Sequence, residues 1–238
     1  MAETAPSYDE LDENLREVRR RIESSALAVG RDPATVRLIA VSKTQPPAML
    51  RRAIAAGATD LGENRVQEAD EKVSELGRDA VRWHLIGHLQ ANKARRAVAL
   101  FDLIHSLDSP ALARRLERLC VEQGRAELPV LIQVDLAGEE SKSGVNEREL
   151  PELLSALAAC ERLRPAGLMT LPPFIEDREQ VRPYFRRLRE LRDELAERGA
   201  FGDAAGELSM GMSHDYEVAV EEGATMVRVG TAIFGRRR

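Results

Sequence analysis

The stretch Val36-Arg37-Leu38-Ile39-Ala40-Val41-Ser42-Lys43 reads as an apolar strand ending on a lysine. An amphipathic helical pattern follows over 47–56, and a second β-rich run over 59–64. This unit decides the fold, because parallel strands need a connection long enough to hold a helix. Working outward, the unit recurs. Further β-rich runs lie at 81–87, 101–107, 129–136, 164–171, 207–210 and 225–229, which makes eight strands. Helical patterns at 66–76, 92–100, 111–123, 147–160, 180–198 and 215–222 separate them. Eight strand–helix units predict an α/β protein, a single (β/α)8 TIM barrel spanning 1–238, since closure leaves no sheet edge exposed. An open doubly wound sheet is the alternative, but no Gly-x-Gly-x-x-Gly follows the first strand. The least marked strand is Glu207-Leu208-Ser209-Met210, which is short and borders two glycines.

Ahead of the first strand, Leu11, Leu15, Val18, Ile22, Ala26 and Val29 recur at steps of three and four. That spacing puts one apolar stripe on an extra N-terminal helix over 8–30, which Gly30 ends. Residues 1–6 are small or polar and are expected to fray.

The 238 residues carry a net charge of −5, with 43% hydrophobic and 4% aromatic residues, so a sizeable core is available and wholesale disorder is excluded. Acidic and basic residues are interspersed, whereas a polyanion binder needs a concentrated basic face, so no nucleic-acid partner is expected. Arg236, Arg237 and Arg238 are too short a run to change this. No segment approaches the apolar length of a membrane span, and the acidic start (Glu3, Asp9, Glu10) is unlike a signal peptide. Two distant cysteines, Cys120 and Cys160, suggest neither a disulfide framework nor a zinc site. These features predict a soluble, cytoplasmic protein.

In such a barrel, chemistry collects at the C-terminal ends of the strands. Lys43 ends the first strand, where desolvation favours the neutral amine, the form that attacks a carbonyl. Ser209-Met210-Gly211-Met212-Ser213 after the seventh strand and Gly230-Thr231 after the eighth supply hydroxyls and glycine amides where barrels commonly hold phosphate. A lysine and a phosphate cup together suggest a phosphorylated aldehyde held at both ends. The loops 138–144 and 171–177 are candidate covers of this mouth. His84 and His88 straddle a strand end and Gly87, which does not form a metal-binding helical pair. Ser213-His214-Asp215 reads as a helix cap and not as a catalytic triad, because triad members converge in space.

Six segments go further. They are Ala40-Val41-Ser42-Lys43-Thr44, Leu61-Gly62-Glu63-Asn64-Arg65, Trp83-His84-Leu85-Ile86-Gly87-His88-Leu89-Gln90 with Asn92-Lys93, Gly167-Leu168-Met169-Thr170, Leu208-Ser209-Met210-Gly211-Met212-Ser213 and Val227-Arg228-Val229-Gly230-Thr231-Ala232-Ile233-Phe234-Gly235. In this order they resemble the YggS/PROSC family of pyridoxal phosphate-binding homeostasis proteins, whose barrel is alanine racemase-like. Leu85 and Ala91 depart from the family's frequent residues without touching the lysine or the cup.

The resemblance implies that Lys43 carries pyridoxal 5'-phosphate as a Schiff base, and that Ser209, Gly230 and Thr231 hold its phosphate. It also implies that Arg228 approaches the pyridine nitrogen and that Asn64 and Met169 line the cofactor. A guanidinium cannot accept a proton, so it leaves that nitrogen unprotonated and the ring a weaker electron sink. The implied role is vitamin B6 homeostasis: buffering and delivery of the cofactor without evident catalysis, with apo-enzymes as possible acceptors. The alternative is a pyridoxal phosphate-dependent amino-acid racemase, for which Tyr184 and His214 are the nearest candidates for a second base. A monomer is expected.

Overall fold

A computed structural model describes residues 7–138 and 143–235. Expectations for 1–6, the centre of the 138–144 loop and the final arginines lie outside the described residues. The element order is α1 (Tyr8–Ala28), β1 (Arg37–Val41), α2 (Pro47–Ala55), β2 (Asp60–Glu63), α3 (Val66–Leu76), β3 (Arg82–Leu85), α4 (Ala94–Leu100) and β4 (Leu103–Leu107). It continues with α5 (Pro110–Glu122), β5 (Leu128–Gln133), α6 (Leu150–Ala158), β6 (Leu163–Met169), α7 (Arg182–Glu197), β7 (Glu207–Met212), α8 (Tyr216–Glu221), β8 (Met226–Val229) and α9 (Thr231–Phe234). All eight strands pair in parallel, each with its sequence neighbours, and β8 closes onto β1. The predicted barrel is the fold.

Several boundaries shift for identifiable reasons. β1 stops at Val41, two residues before Lys43, because Gln45 N–H donates to the Ser42 carbonyl (3.0 Å) and closes a turn. Thr44 sits in that turn at φ +65°, a conformation that no strand contains. β7 runs to Met212, two residues beyond its expected end, with a register shift against β8. Gly211 makes this possible: at φ +88° it lets α8 pack so closely that a Cβ there would lie 2.9 Å from the Tyr216 Cα. α6 and α7 begin later than expected, each with a proline in its first turn that favours initiation there. The short α9 was not foreseen.

Two apolar regions fill the structure. The larger lies between sheet and helices, with Trp83, Phe101 and Phe185 fully buried in it. The smaller holds Ile39, Leu103, Leu131, Met169 and Met226, contributed by five different strands, and occupies the barrel interior. Outside the barrel, α1 starts with a capping box in which Ser7 and Glu10 bond reciprocally. It buries Leu11, Leu15, Val18 and Ile22 and packs against α8, α9 and α2. Among the described residues, no helix is long and apolar enough to cross a membrane.

Candidate functional site

The Lys43 turn is held from beneath. Lys72, on α3, is almost fully buried and donates to the Ser42 carbonyl (2.7 Å), to Glu63 Oε1 (2.6 Å) and to Glu68 Oε1 (2.7 Å). The Ser42 hydroxyl donates to the same Glu63 oxygen at 2.5 Å, and Glu68 accepts from the Thr44 amide. Burial pushes the Glu63 carboxyl above its ordinary range, and the Lys72 ammonium is the strongest influence opposing it. Sequence reading missed this cluster, although Glu68 and Lys72 stand four apart on a helix, a readable pairing signal.

Register carries the β1 end to the other candidate residues. Ile39 pairs with Arg228 and Ala40 with Val229, so Gly230 follows beside Val41. A Cβ on Gly230 would lie 3.3 Å from the Val41 Cβ. The backbone at Gly230 thus runs tight against the end of the strand that leads to Lys43. There the Gly230 and Ala232 amides both donate to the Ser213 hydroxyl, at 3.1 and 3.3 Å. Thr231 opens α9 and is exposed. Asn64 follows β2, and its backbone presses on Gly87, where a Cβ would lie 2.8 Å from the Asn64 Cα. The Asn64 Oδ1 is buried without a hydrogen-bond partner. Asn64, Gly87, His88 and Lys93 line a cavity of about 680 Å³.

Arg228 lies inside the barrel, 3% exposed. Its Nη1 donates to the Ser209 hydroxyl at 2.5 Å and its Nη2 to the Thr170 carbonyl at 2.8 Å. Desolvation lowers its pKa to about 10, with Asp215 opposing from a distance. Met169 ends β6 and is fully buried in the interior cluster.

Ser209 is also fully buried. The structure places its hydroxyl between Arg228 and His105, and it is the Ser213 hydroxyl that meets the Gly230 and Ala232 amides. Lys43, Asn64, Gly230 and Thr231 therefore gather at the strand ends, whereas Ser209, Arg228 and Met169 form a layer within the barrel.

The neighbours Ser213, His214 and Asp215 go three ways. His214 Nε2 is 3.0 Å from the Glu176 carbonyl, and Asp215 accepts from the Met212 amide at 2.6 Å. Asp215 occupies the N-cap position of α8 but makes no side-chain cap bond there, so the cap expected at this point is not formed. Among the described residues, no cluster of three or more His, Cys, Asp or Glu could hold a metal ion.

The family described as "Alanine racemase, N-terminal domain" matches residues 7–238. The chain is 44% identical to the pyridoxal phosphate homeostasis protein of Aquifex aeolicus, over 95% of this chain and 98% of that one. It is 46% identical to the protein of that name from Pseudomonas aeruginosa, over 94% and 95%. PipY of Synechococcus elongatus, solved with pyridoxal phosphate bound, superposes with a TM-score of 0.83 at 40% identity, covering 94% of this chain and all of that one. The alanine racemase of Corynebacterium glutamicum shares the fold at a TM-score of 0.69 and 22% identity, covering 97% of this chain and 61% of the enzyme.

Proposed function

The chain belongs to the family of pyridoxal phosphate homeostasis proteins, built on the alanine racemase N-terminal domain, and from that premise we propose that it binds pyridoxal 5'-phosphate through Lys43 and buffers it for delivery. The observation that carries the reading is the convergence at one barrel mouth of a turn-mounted lysine, a glycine-backed set of amides and an unpartnered buried amide oxygen on Asn64. These groups fit the cofactor: an amine for its aldehyde, the Ser213 and Thr231 hydroxyls as donors for its phosphate, and a buried guanidinium for its ring nitrogen. Pyridoxal phosphate supplies an aldehyde that a neutral amine captures reversibly with loss of water.

The chain's own residues do the rest. Gly230, Thr231 and Ser213 hold the phosphate, Asn64 and Met169 flank the ring, and Arg228 donates toward the ring nitrogen without being able to protonate it. Ser209 serves by holding Arg228. Racemisation needs a base on each side of the substrate carbon. Of the two candidates for the second, Tyr184 packs against the core, and one His214 ring nitrogen meets a backbone carbonyl. We therefore read the protein as a carrier, monomeric and cytoplasmic, with cofactor-requiring apo-enzymes as recipients.

The test is spectroscopic and covalent. Protein mixed with pyridoxal phosphate should gain a visible absorption band, and borohydride should fix the cofactor to the Lys43 peptide. Recovery of the label on a peptide lacking Lys43 overturns the assignment. Loaded protein incubated with L- and D-amino acids in deuterated water should show no rapid exchange or inversion at the α-carbon. Rapid inversion of any amino acid would restore the racemase.

A further inference from the structure

Five buried side chains from five strands make an unbroken polar line through the barrel. Asp60 Oδ1 is 2.9 Å from His84 Nε2, and His84 Nδ1 is 3.0 Å from His105 Nε2. His105 Nδ1 is in turn 2.9 Å from the Ser209 hydroxyl, which accepts from Arg228. None of the five is more than 3% exposed.

We propose that Asp60, His84, His105 and Ser209 form a one-way hydrogen-bond chain that positions Arg228, with both histidines neutral and protonated on Nε2. The proposal rests on the reading of Arg228 as the group that meets the cofactor ring.

The direction follows from the two ends. A guanidinium can only donate and a carboxylate can only accept. Asp60 is anchored as a carboxylate, since Thr59 Oγ1 donates to it at 2.7 Å and the Arg37 Nε lies 3.7 Å away. Each donor then faces an acceptor in a single sense: Arg228 to Ser209, Ser209 to His105, His105 to His84, His84 to Asp60.

The opposite sense fails at Ser209. There the hydroxyl oxygen would receive from both Arg228 and His105, and its own hydrogen would need a third partner. Ser209 Oγ has no third neighbour among the described residues that could take it. Burial also holds His105 well below its ordinary value, which keeps its ring neutral.

The consequence falls on Arg228. A serine hydroxyl can rotate and swap donor for acceptor roles, but His105 takes its hydrogen and leaves a lone pair fixed toward Nη1. The Thr170 carbonyl fixes Nη2. Two pinned terminal nitrogens hold the guanidinium plane, and its remaining N–H groups are left to a ring acceptor. Asp60, His84, His105 and Ser209 are on this account positioning residues, acting through Arg228 without touching the cofactor.

Long-range proton–nitrogen correlation spectra of the cofactor-free protein read the chain directly. His84 and His105 should each show a protonated Nε2 and a bare Nδ1 at pH 7.5. A proton on Nδ1 of either ring, or on both nitrogens of His84, overturns the proposal. Asp60→Asn can present either an oxygen or an NH2 to His84, so it should yield a mixture of ring tautomers.

Binding gives the second readout. Ser209→Ala should weaken pyridoxal phosphate and unphosphorylated pyridoxal equally, each by about tenfold, the loss of one bond to a charged group. It should also shift the absorption maximum of the bound form, and Ser209→Thr should recover part of both. A loss confined to the phosphorylated ligand would place Ser209 on the phosphate and overturn the positioning role. If the wild-type protein takes up no cofactor at Lys43 while the tautomers are as stated, the binding reading fails and the chain stands.

Discussion

Lys72 shows how much a single side chain can carry without touching a ligand. It bonds the Ser42 carbonyl, Glu63 and Glu68 at once, and so ties the turn that presents Lys43 to both β2 and α3. Replacing it by methionine keeps the volume and abandons the buried Glu63 carboxylate. Removing one partner of a buried pair costs about 3–5 kcal/mol. Lys72→Met should therefore lower the urea midpoint strongly, and the double variant Lys72→Met/Glu63→Gln should recover part of the loss.

At the mouth, Thr231→Ala should weaken pyridoxal phosphate roughly ten- to a hundredfold and leave unphosphorylated pyridoxal almost unchanged, since a hydroxyl bond to a charged group is worth about 1.5–3 kcal/mol. Parallel titrations with the two ligands check this.

Lys43 and Gly230 stand out in the sequence because they follow apolar strand runs, whereas Arg228 is implied only by the family resemblance. Asp60, His84 and His105 were not legible. They meet through strands 21 and 24 residues apart, and no local pattern reports which buried histidine faces which.

At the scale of elements, the eight strands and the helices from α1 to α8 were readable, because each unit alternates an apolar run with an amphipathic one. The ends were not readable where tertiary contacts set them. β1 yields early to the turn that Lys72 and Glu68 hold, and β7 runs on because Gly211 admits α8. The eighth unit ends in α9, four residues long, too short to leave a periodicity.

That helix depends on α1. Asn14 Nδ2 donates to the Ile233 carbonyl at 3.1 Å, and α1 covers both α8 and α9. Asn14→Ala should thus loosen α9 and weaken pyridoxal phosphate a few-fold more than pyridoxal, a difference that paired titrations resolve. Ser7→Ala removes the capping box and should cost about 0.5–2 kcal/mol, read as a lower urea midpoint.

For the whole molecule, the buried ring of His105 couples stability to acidity. Its folded pKa lies well below 6.5, because burial penalises the charged form. Below pH 6.5 the unfolded chain takes up a proton that the folded one refuses. The stability is therefore complete above 6.5 and is lost as pH falls, at up to about 1.4 kcal/mol per pH unit. Urea denaturation at pH 7.5 and 5.5 should show this decline, and His105→Gln should flatten it. Equal slopes in the two proteins would exclude His105 as its source.

The contact between α1 and α9 also sets an order in time. α1 leaves the ribosome early with Leu11, Leu15, Val18 and Ile22 along one side, and the surfaces that cover them, α8 and α9, come some two hundred residues later. At about 5–20 residues per second, that interval is roughly 10–40 s. Throughout it the stripe has only α2 of its three main neighbours, so a newly made chain carries an uncovered apolar helix for that whole interval. Helix α9, which follows directly on Gly230, is also the piece that completes its shelter.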